Sequence, residues 1–324
     1  MKIAVIGAGS WGTTLAILLG EKGFDVKLWA RRKKLANEIE TKKENVQYLP
    51  GIRIPDTVIT EHSLKNVLEN SEMIITAIPS EFLRHAIKDV KPYFRNQIIV
   101  SVTKGLEHHT CKRMSQVIEE ELGRAKIAVL SGPNHAEEVS IKMPTASVIA
   151  GRDKKICNIV SETFATPYFK VYQLIDVVGV ETCGALKNIS AIATGVVDGL
   201  GFGDNAKASI ITLGLMEMNN FGRHFGAKRG TVYGLAGVGD LIATCMSRHS
   251  RNRFFGQQLA KNKSIDEIKK GMHGMIAEGI PTTKAVHEYS RQHRIEMPLT
   301  QQAYEVLFEN KNLKQAINDL LSLV

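Results

Sequence analysis

The sequence has little of what marks a secreted scaffold, a membrane protein or a nucleic-acid binder. Among 324 residues there are four cysteines, Cys111, Cys157, Cys183 and Cys245, and no two form a CxxC pair. No His/Cys group has zinc-ligand spacing, so neither a disulfide framework nor a metal site is expected. The four read as reduced, partly buried thiols of a cytosolic protein. Uncharged apolar runs of roughly 18 residues are missing, and with them the expectation of a membrane span. The amino terminus, MKIAVIGAG, enters a Gly-rich turn after an apolar run too short for the core of a signal peptide. Internal repeats, low-complexity segments and a Pro/Gly/Ser linker are also lacking. The net charge is +9, but the densest basic clusters, RRKK at 31–34 and KK at 42–43 and 269–270, are short. Without an Arg-rich tail or an aromatic-interleaved basic motif, no nucleic-acid partner is expected. A small anionic substrate fits the charge as well.

What is present is a globular composition, 44% apolar and 23% charged, enough to build a sizeable core. The first half alternates β-branched runs with helical patterns. Candidate strands are 2–7, 25–30, 73–78, 97–102, 127–132, 145–151 and 170–174. The runs at 73–78 and 97–102 are apolar nearly throughout, as strands buried on both faces of a parallel sheet are. Helical stretches such as 12–23 and 80–94 lie between them. From residue 179 onward helical periodicity dominates, as in 208–222, 252–262, 281–293 and 300–310. The expected fold is α/β: an N-terminal Rossmann-like, doubly wound, mostly parallel sheet over residues 1–178, then an all-helical domain over 179–324. The two are expected to share a tight interface, a common place for a ligand cleft.

The motif VIGAGSWG sets Gly7, Gly9 and Gly12 after a strand and before a helix, the context a dinucleotide fingerprint requires. Gly7 permits the tight turn, Gly9 lets backbone approach a pyrophosphate, and Gly12 lets helix and strand pack closely. The helix N-terminus adds free N–H groups and a positive dipole end. An NAD-selective domain often ends its second strand with a carboxylate for the ribose hydroxyl. Here the strand runs into VKLWARRKK, without that carboxylate and with Arg31 and Arg32 following. Arginine forks suit a phosphate, so NADPH is expected over NADH, with NADH still usable. Otherwise the two arginines are a solvated helix start.

Other strand ends carry polar groups. Pro79 and Ser80 follow one strand and could line a nicotinamide pocket. Lys104 and Gly105 follow the next, so Lys104 is expected on the sheet edge that holds the pyrophosphate loop, unless it is a plain surface lysine. Gly132 and Pro133 end a third, with the N–H groups around Asn134 to Ala136 free for an anion. In the helical half, GVETCGALKNISAIATGVVDG places Lys187 and Asn188 inside a helix of small and apolar residues. Val180, Gly184, Lys187, Ala191, Gly195 and Asp198 share one face. That face predicts an amine with room above it, its pKa lowered by desolvation and a second cation, able to protonate a carbonyl oxygen. A snorkelling lysine is the alternative. Asp240 and Thr244, one turn apart in LAGVGDLIATC, could hold that amine, or Asp240 could cap the next helix. Ser250, Arg251, Asn252 and Arg253 together suit a phosphate monoester, or form a basic helix start on the surface.

These motifs, with TKGLE, SGPNHAEEV, ALKNISAIATGVVDGLGFGDNAKASIITLGLMEM, SRNRFFG and AEGIPTTKAV, run in one order along nearly the whole chain. In this the sequence resembles the NAD(P)-dependent glycerol-3-phosphate dehydrogenase family of bacteria and archaea. The resemblance implies reversible reduction of dihydroxyacetone phosphate to sn-glycerol 3-phosphate, a supply for membrane phospholipids. It implies Lys187 as general acid/base and Lys104 in contact with substrate and near the nicotinamide. Asp240 and Thr244 are implied as supporting polar groups. Ser250, Arg251 and Asn252 match the substrate-phosphate segment, with Arg251 also near the cofactor. Ser10, Trp11, Arg31, Arg32, Tyr48, Ala136, Ile276 and Glu278 match cofactor contacts. Relatives often read SGPSFA or SGPTFA where this chain has SGPNHA. Competing readings are a reductase of a small hydroxy acid, a dinucleotide-binding regulator without chemistry, and a basic nucleic-acid binder. A homodimer is possible, though no heptad pattern marks an interface.

Overall fold

A computed structural model of the chain describes residues 1–272 and 274–323. They fall into two units. The first comprises residues 1–103 and 114–177, the second residues 104–113 and 178–324.

Ten strands belong to the first unit: β1 (Lys2–Ile6), β2 (Asp25–Trp29), β3 (Glu44–Asn45), β4 (Leu49–Arg53), β5 (Val58–Glu61), β6 (Met73–Thr76), β7 (Ile98–Ser101), β8 (Lys126–Ser131), β9 (Thr145–Gly151) and β10 (Phe169–Leu174). Eight of them form one sheet in the order β10-β9-β8-β7-β6-β1-β2-β5, while β3 and β4 pair as a separate hairpin. Every pairing in the large sheet is parallel except β8 with β9. The order turns back at β1, which lies between β6 and β2, so the loop after β1 sits at the topological switch point where such sheets bind ligands. Every residue of β6 is buried, as a strand covered on both faces must be. In the helix Ser80–Val90, Leu83, Ala86, Ile87 and Val90 recur at helical spacing, and all four are buried.

The second unit is helical. Among its described residues the only β feature is an isolated bridge between Leu106 and Arg113. Its central helix, Val177–Gly199, is buried on all sides from Gly179 to Val197. Segment 104–113 joins this unit because Leu106 and Cys111 pack with Cys183, Leu186, Ile189, Phe221 and Leu241. Arg113 also pairs with Glu181 at 2.7 Å, both buried. Sequence alone drew a single boundary at 178/179, which leaves this excursion of the chain out. No described helix is long and apolar enough to cross a membrane.

A buried carboxylate starts one of the outer helices. Glu217 accepts from the N–H groups of Leu299 (2.5 Å) and Thr300 (3.2 Å), and from the Thr300 hydroxyl (2.6 Å), at the start of the helix Pro298–Phe308. Burial pushes its pKa up to about 7, against the pull of the Thr300 and Leu299 bonds. A raised carboxylate pKa favours folding at low pH, and that contribution fades as pH rises from the usual carboxylate range through about 7. Glu217→Gln is therefore expected to flatten the stability loss between pH 5 and 8, as read by urea unfolding across that range.

Candidate active site

In the first unit, the loop after β1 is built to accept a diphosphate. Gly7 has φ +117°, and a Cβ there or at Gly12 would collide with the Ala77 or Gly7 carbonyl, respectively. The turn is thus restricted to glycine at both positions. At Gly9, by contrast, a Cβ would meet nothing within 4 Å, so the backbone lies open to a ligand. Gly9 also caps the helix Ser10–Glu21, and no side chain bonds back to cover its first N–H groups. These open donors at a helix N-terminus fit a dinucleotide pyrophosphate. Ser10 is buried, and the Trp11 indole N–H is buried without a hydrogen-bond partner. Arg31 and Arg32 follow β2. Arg31 lies 6.0 Å from the Phe82 ring centre, and Arg32 donates to Gln47 Oε1 (2.7 Å) and Tyr48 Oη (3.2 Å). Both of those Arg32 partners are neutral.

Three more predicted groups lie in this unit. Pro79 caps the helix Ser80–Val90, Gly132 takes φ +125°, and Asn134 donates to Ser147 Oγ at 2.9 Å. Ala136 opens a five-residue helix, and its carbonyl accepts from Thr14 Oγ1 at 3.2 Å.

In the second unit, Lys187 and Lys104 meet on one carboxylate. Lys187 Nζ donates to Asp240 Oδ1 at 2.5 Å and to Thr244 Oγ1 at 2.8 Å. Lys104 Nζ donates to Asp240 Oδ2 at 3.0 Å. Side-chain exposure is 7% for Lys187, 17% for Lys104 and 2% for Asp240, so water screens the three charges poorly. A π-helical turn, Leu235–Gly239, leads directly into the helix Asp240–Met246 and sets Asp240 in its first turn. Thr244 donates back to the Asp240 carbonyl at 2.7 Å, which aims its oxygen at Lys187. Burial alone would raise the Asp240 pKa, but the Lys104 and Lys187 ammonium groups hold it below the usual carboxylate range. Burial drives the Lys104 amine down to about 7, with Asp240 pulling up and Lys187 pushing down further.

Lys104 follows β7 by three residues, groups with the helical unit and has its amine tied to Asp240. One expectation is overturned: the small residues around Lys187 do not all clear a cavity. A Cβ on Gly195 would strike the Arg253 backbone, and one on Gly256 would strike the Ile192 carbonyl. Those glycines let the helices Val177–Gly199 and Arg251–Leu259 touch backbone to backbone.

Asn188 and Asn252 form a hydrogen-bonded chain beside the lysines. Asn188 Nδ2 donates to the Lys104 carbonyl (3.1 Å), and Asn252 Nδ2 donates to Asn188 Oδ1 (2.9 Å). Asn252 Oδ1 in turn accepts from Gly279 N–H (2.9 Å), next to Glu278. Ser250 caps the helix Arg251–Leu259 by accepting from Arg253 N–H at 3.2 Å, which leaves its own O–H proton to give. Arg253 is held by Asp198 at 2.5 Å, whereas Arg251 is exposed. Ile276 is half-buried just before Glu278, the cap of the helix Gly279–His293.

Family models describe both halves. One, for the N-terminus of NAD-dependent glycerol-3-phosphate dehydrogenase, matches residues 2–157, and one for the C-terminus matches residues 176–318. The chain belongs to this family. Over 328 residues it is 49% identical to the glycerol-3-phosphate dehydrogenase [NAD(P)+] of Chlorobium phaeobacteroides, covering 99% of this chain and 97% of that protein. It is 44% identical to the Bacillus thuringiensis protein of the same name, covering 100% of this chain and 96% of that one. The crystal structure of the Coxiella burnetii glycerol-3-phosphate dehydrogenase superposes with a TM-score of 0.96 at 40% identity, over 99% and 98% of the two chains. Membership makes the chain an oxidoreductase with a nicotinamide cofactor.

Two groups that position this dehydrogenase's site escaped the sequence. Asn45 is fully buried and donates to the Ala8 carbonyl (3.0 Å) and Thr13 Oγ1 (2.8 Å), clamping the glycine loop from outside. Its strand is two residues long and carries no periodic signal. The Arg113–Glu181 pair anchors the segment that carries Lys104, and only its distance across the sequence, 68 residues, hid it.

Proposed function

We propose that this chain reduces dihydroxyacetone phosphate to sn-glycerol 3-phosphate with NADPH as preferred cofactor. The observation that carries the proposal is the sharing of one buried carboxylate by Lys104 and Lys187. Two ammonium groups on one carboxylate leave net positive charge where an alkoxide would form. A dinucleotide held by its pyrophosphate at Gly7, Gly9 and the N-terminus of the helix Ser10–Glu21 would supply a hydride for the ketone carbon. Lys187 gives its Nζ proton to the forming alkoxide and regains one from water. Asp240 and Thr244 hold that amine in one orientation. Lys104 stabilises the developing charge, while Arg251 and the Ser250 hydroxyl bind the phosphate. That remote binding energy orients a three-carbon substrate. The product is the backbone of glycerophospholipids, which makes their synthesis the role we assign.

A substrate comparison tests this reading. Initial rates with dihydroxyacetone phosphate should exceed those with unphosphorylated dihydroxyacetone and with small 2-oxo acids. A 2-oxo acid as the best substrate would transfer the site to hydroxy-acid chemistry.

The cofactor preference rests on Arg31 and Arg32. A charge-assisted bond to the extra phosphate is worth about 1.5–3 kcal/mol, which is about 10- to 100-fold in affinity. The double variant Arg31→Ala, Arg32→Ala is expected to raise KM for NADPH by about that factor and to leave KM for NADH nearly unchanged. Equal losses for both cofactors would remove the arginines from phosphate recognition.

The lowered amine gives a pH signature. Lys104 is cationic below about 7 and neutral above it, and only the cation attracts the substrate anion. For the reduction, kcat/KM is expected to fall as pH rises through about 7. Lys104→Arg, always charged, should remove that inflection from the profile.

A further inference from the structure

A group outside the lysine site has the make-up of a metal centre. Segment 104–113 folds into a tight hairpin: Glu107 N–H donates to the Lys112 carbonyl and Cys111 N–H to the Glu107 carbonyl, both at 2.9 Å. The Leu106–Arg113 bridge closes it. At its tip His108 and His109 set their rings 3.9 Å apart. Glu288, on the helix Gly279–His293, faces them. One nitrogen of each imidazole and one carboxylate oxygen of Glu288 lie within 4.8 Å of one another. His108 Nε2 is buried and has no hydrogen-bond partner, so this ring has a nitrogen uncommitted to the protein. Buried polar atoms of that kind call for an explanation, and a metal ion is one.

We propose that His108, His109 and Glu288 bind a divalent ion of the Zn2+ class and so staple the Lys104 hairpin to the helix Gly279–His293. Two imidazoles and a carboxylate suit Zn2+, Co2+ or Ni2+, whereas Mg2+ and Ca2+ take all-oxygen sets. Ligand bonds of about 2.0–2.2 Å require the three donors to draw closer together than they stand. His109 is exposed and Glu288 half-buried, so both can turn inward. Their exposure also leaves a coordination position open to water, as three-ligand zinc sites have. Lys284, one turn before Glu288, places an opposing charge near His108 and keeps the site weaker than a closed four-ligand one. Spacing rules miss such a site because its ligands come from segments about 180 residues apart.

The test uses the full chain, stripped with chelator and titrated with ZnCl2 by calorimetry, with CoCl2 absorption spectra in parallel. One ion per chain is expected to bind saturably. His109→Ala and Glu288→Gln should each weaken binding by at least about tenfold, a loss seen even for groups that only orient a ligand. Circular dichroism checks that both variants stay folded. His85→Ala, which removes the exposed His85–Asp89 pair elsewhere on the surface, should change nothing. Zn2+ should also slow amide hydrogen exchange in the hairpin of the wild type and leave both variants unaffected. Non-saturable binding, binding that survives both variants, binding lost with His85, or unchanged exchange in the wild type would each overturn the proposal. None of these readouts involves turnover, so their failure leaves the proposed activity standing.

Discussion

Asp240→Ala is expected to lower turnover of dihydroxyacetone phosphate by about 100- to 10,000-fold and to destabilise the fold by about 3–5 kcal/mol. Both effects have one cause. The substitution leaves two amines, only 7% and 17% exposed, without the carboxylate that each of them contacts. An uncompensated buried charge is what makes the breaking of such a pair costly. The stability that Asp240 contributes is present at neutral pH, because its folded pKa is lowered, and is lost as pH falls through that lowered value. Urea unfolding at neutral pH measures the stability term, and steady-state rates measure the other. Asp240→Asn keeps the shape and loses the charge, so it should recover part of the stability and little of the rate. Wild-type stability in Asp240→Ala would show that the lysines do not depend on this carboxylate.

Lys187→Ala is expected to reduce kcat by about 100- to 10,000-fold, the range for loss of a positioned general acid. Its structural cost should be smaller, since Asp240 keeps Lys104 at 3.0 Å and the cavity left is bordered by a polar Thr244 hydroxyl. Cofactor affinity should be unchanged, because Gly7, Gly9 and the first turn of Ser10–Glu21 belong to the other unit. A merely structural lysine would give the reverse pattern: a large loss of stability with catalysis retained in the folded fraction. Comparing kcat with NADPH affinity in the same preparation separates the two.

Much of the fold was legible because its signals are local. β6 and β7 showed as short apolar runs, and Ser80–Val90 as an amphipathic helix. What escaped was short or irregular. β5 is only four residues long, and the β3–β4 hairpin contains Pro50 and Gly51, residues that read as a turn. The site was legible in part as an arrangement. Lys187 stood out as an amine in an apolar helix, and contact with Asp240, 53 residues away, and Thr244 was among the readings its sequence offered, but nothing local ties Lys104 to the same carboxylate, 136 residues away. The small-residue face was misread for a similar reason. Glycines signal close approach, but whether a ligand or another helix makes that approach depends on partners far along the chain, here the Arg253 backbone against Gly195.

In the proposed reduction, Lys187, held by Asp240, gives the proton that follows hydride transfer. A rapid-mixing single-turnover experiment separates this role from a structural one. Wild type and Lys187→Ala, each saturated with NADPH, are mixed with dihydroxyacetone phosphate while the absorbance of the reduced nicotinamide is followed. The predicted result is rapid consumption of one cofactor equivalent per site by the wild type, with consumption slowed about 100-fold or more in the variant at equal cofactor occupancy. Equal rates in the two proteins would exclude Lys187 as the proton donor, and no consumption by the cofactor-loaded wild type would exclude dihydroxyacetone phosphate as the substrate.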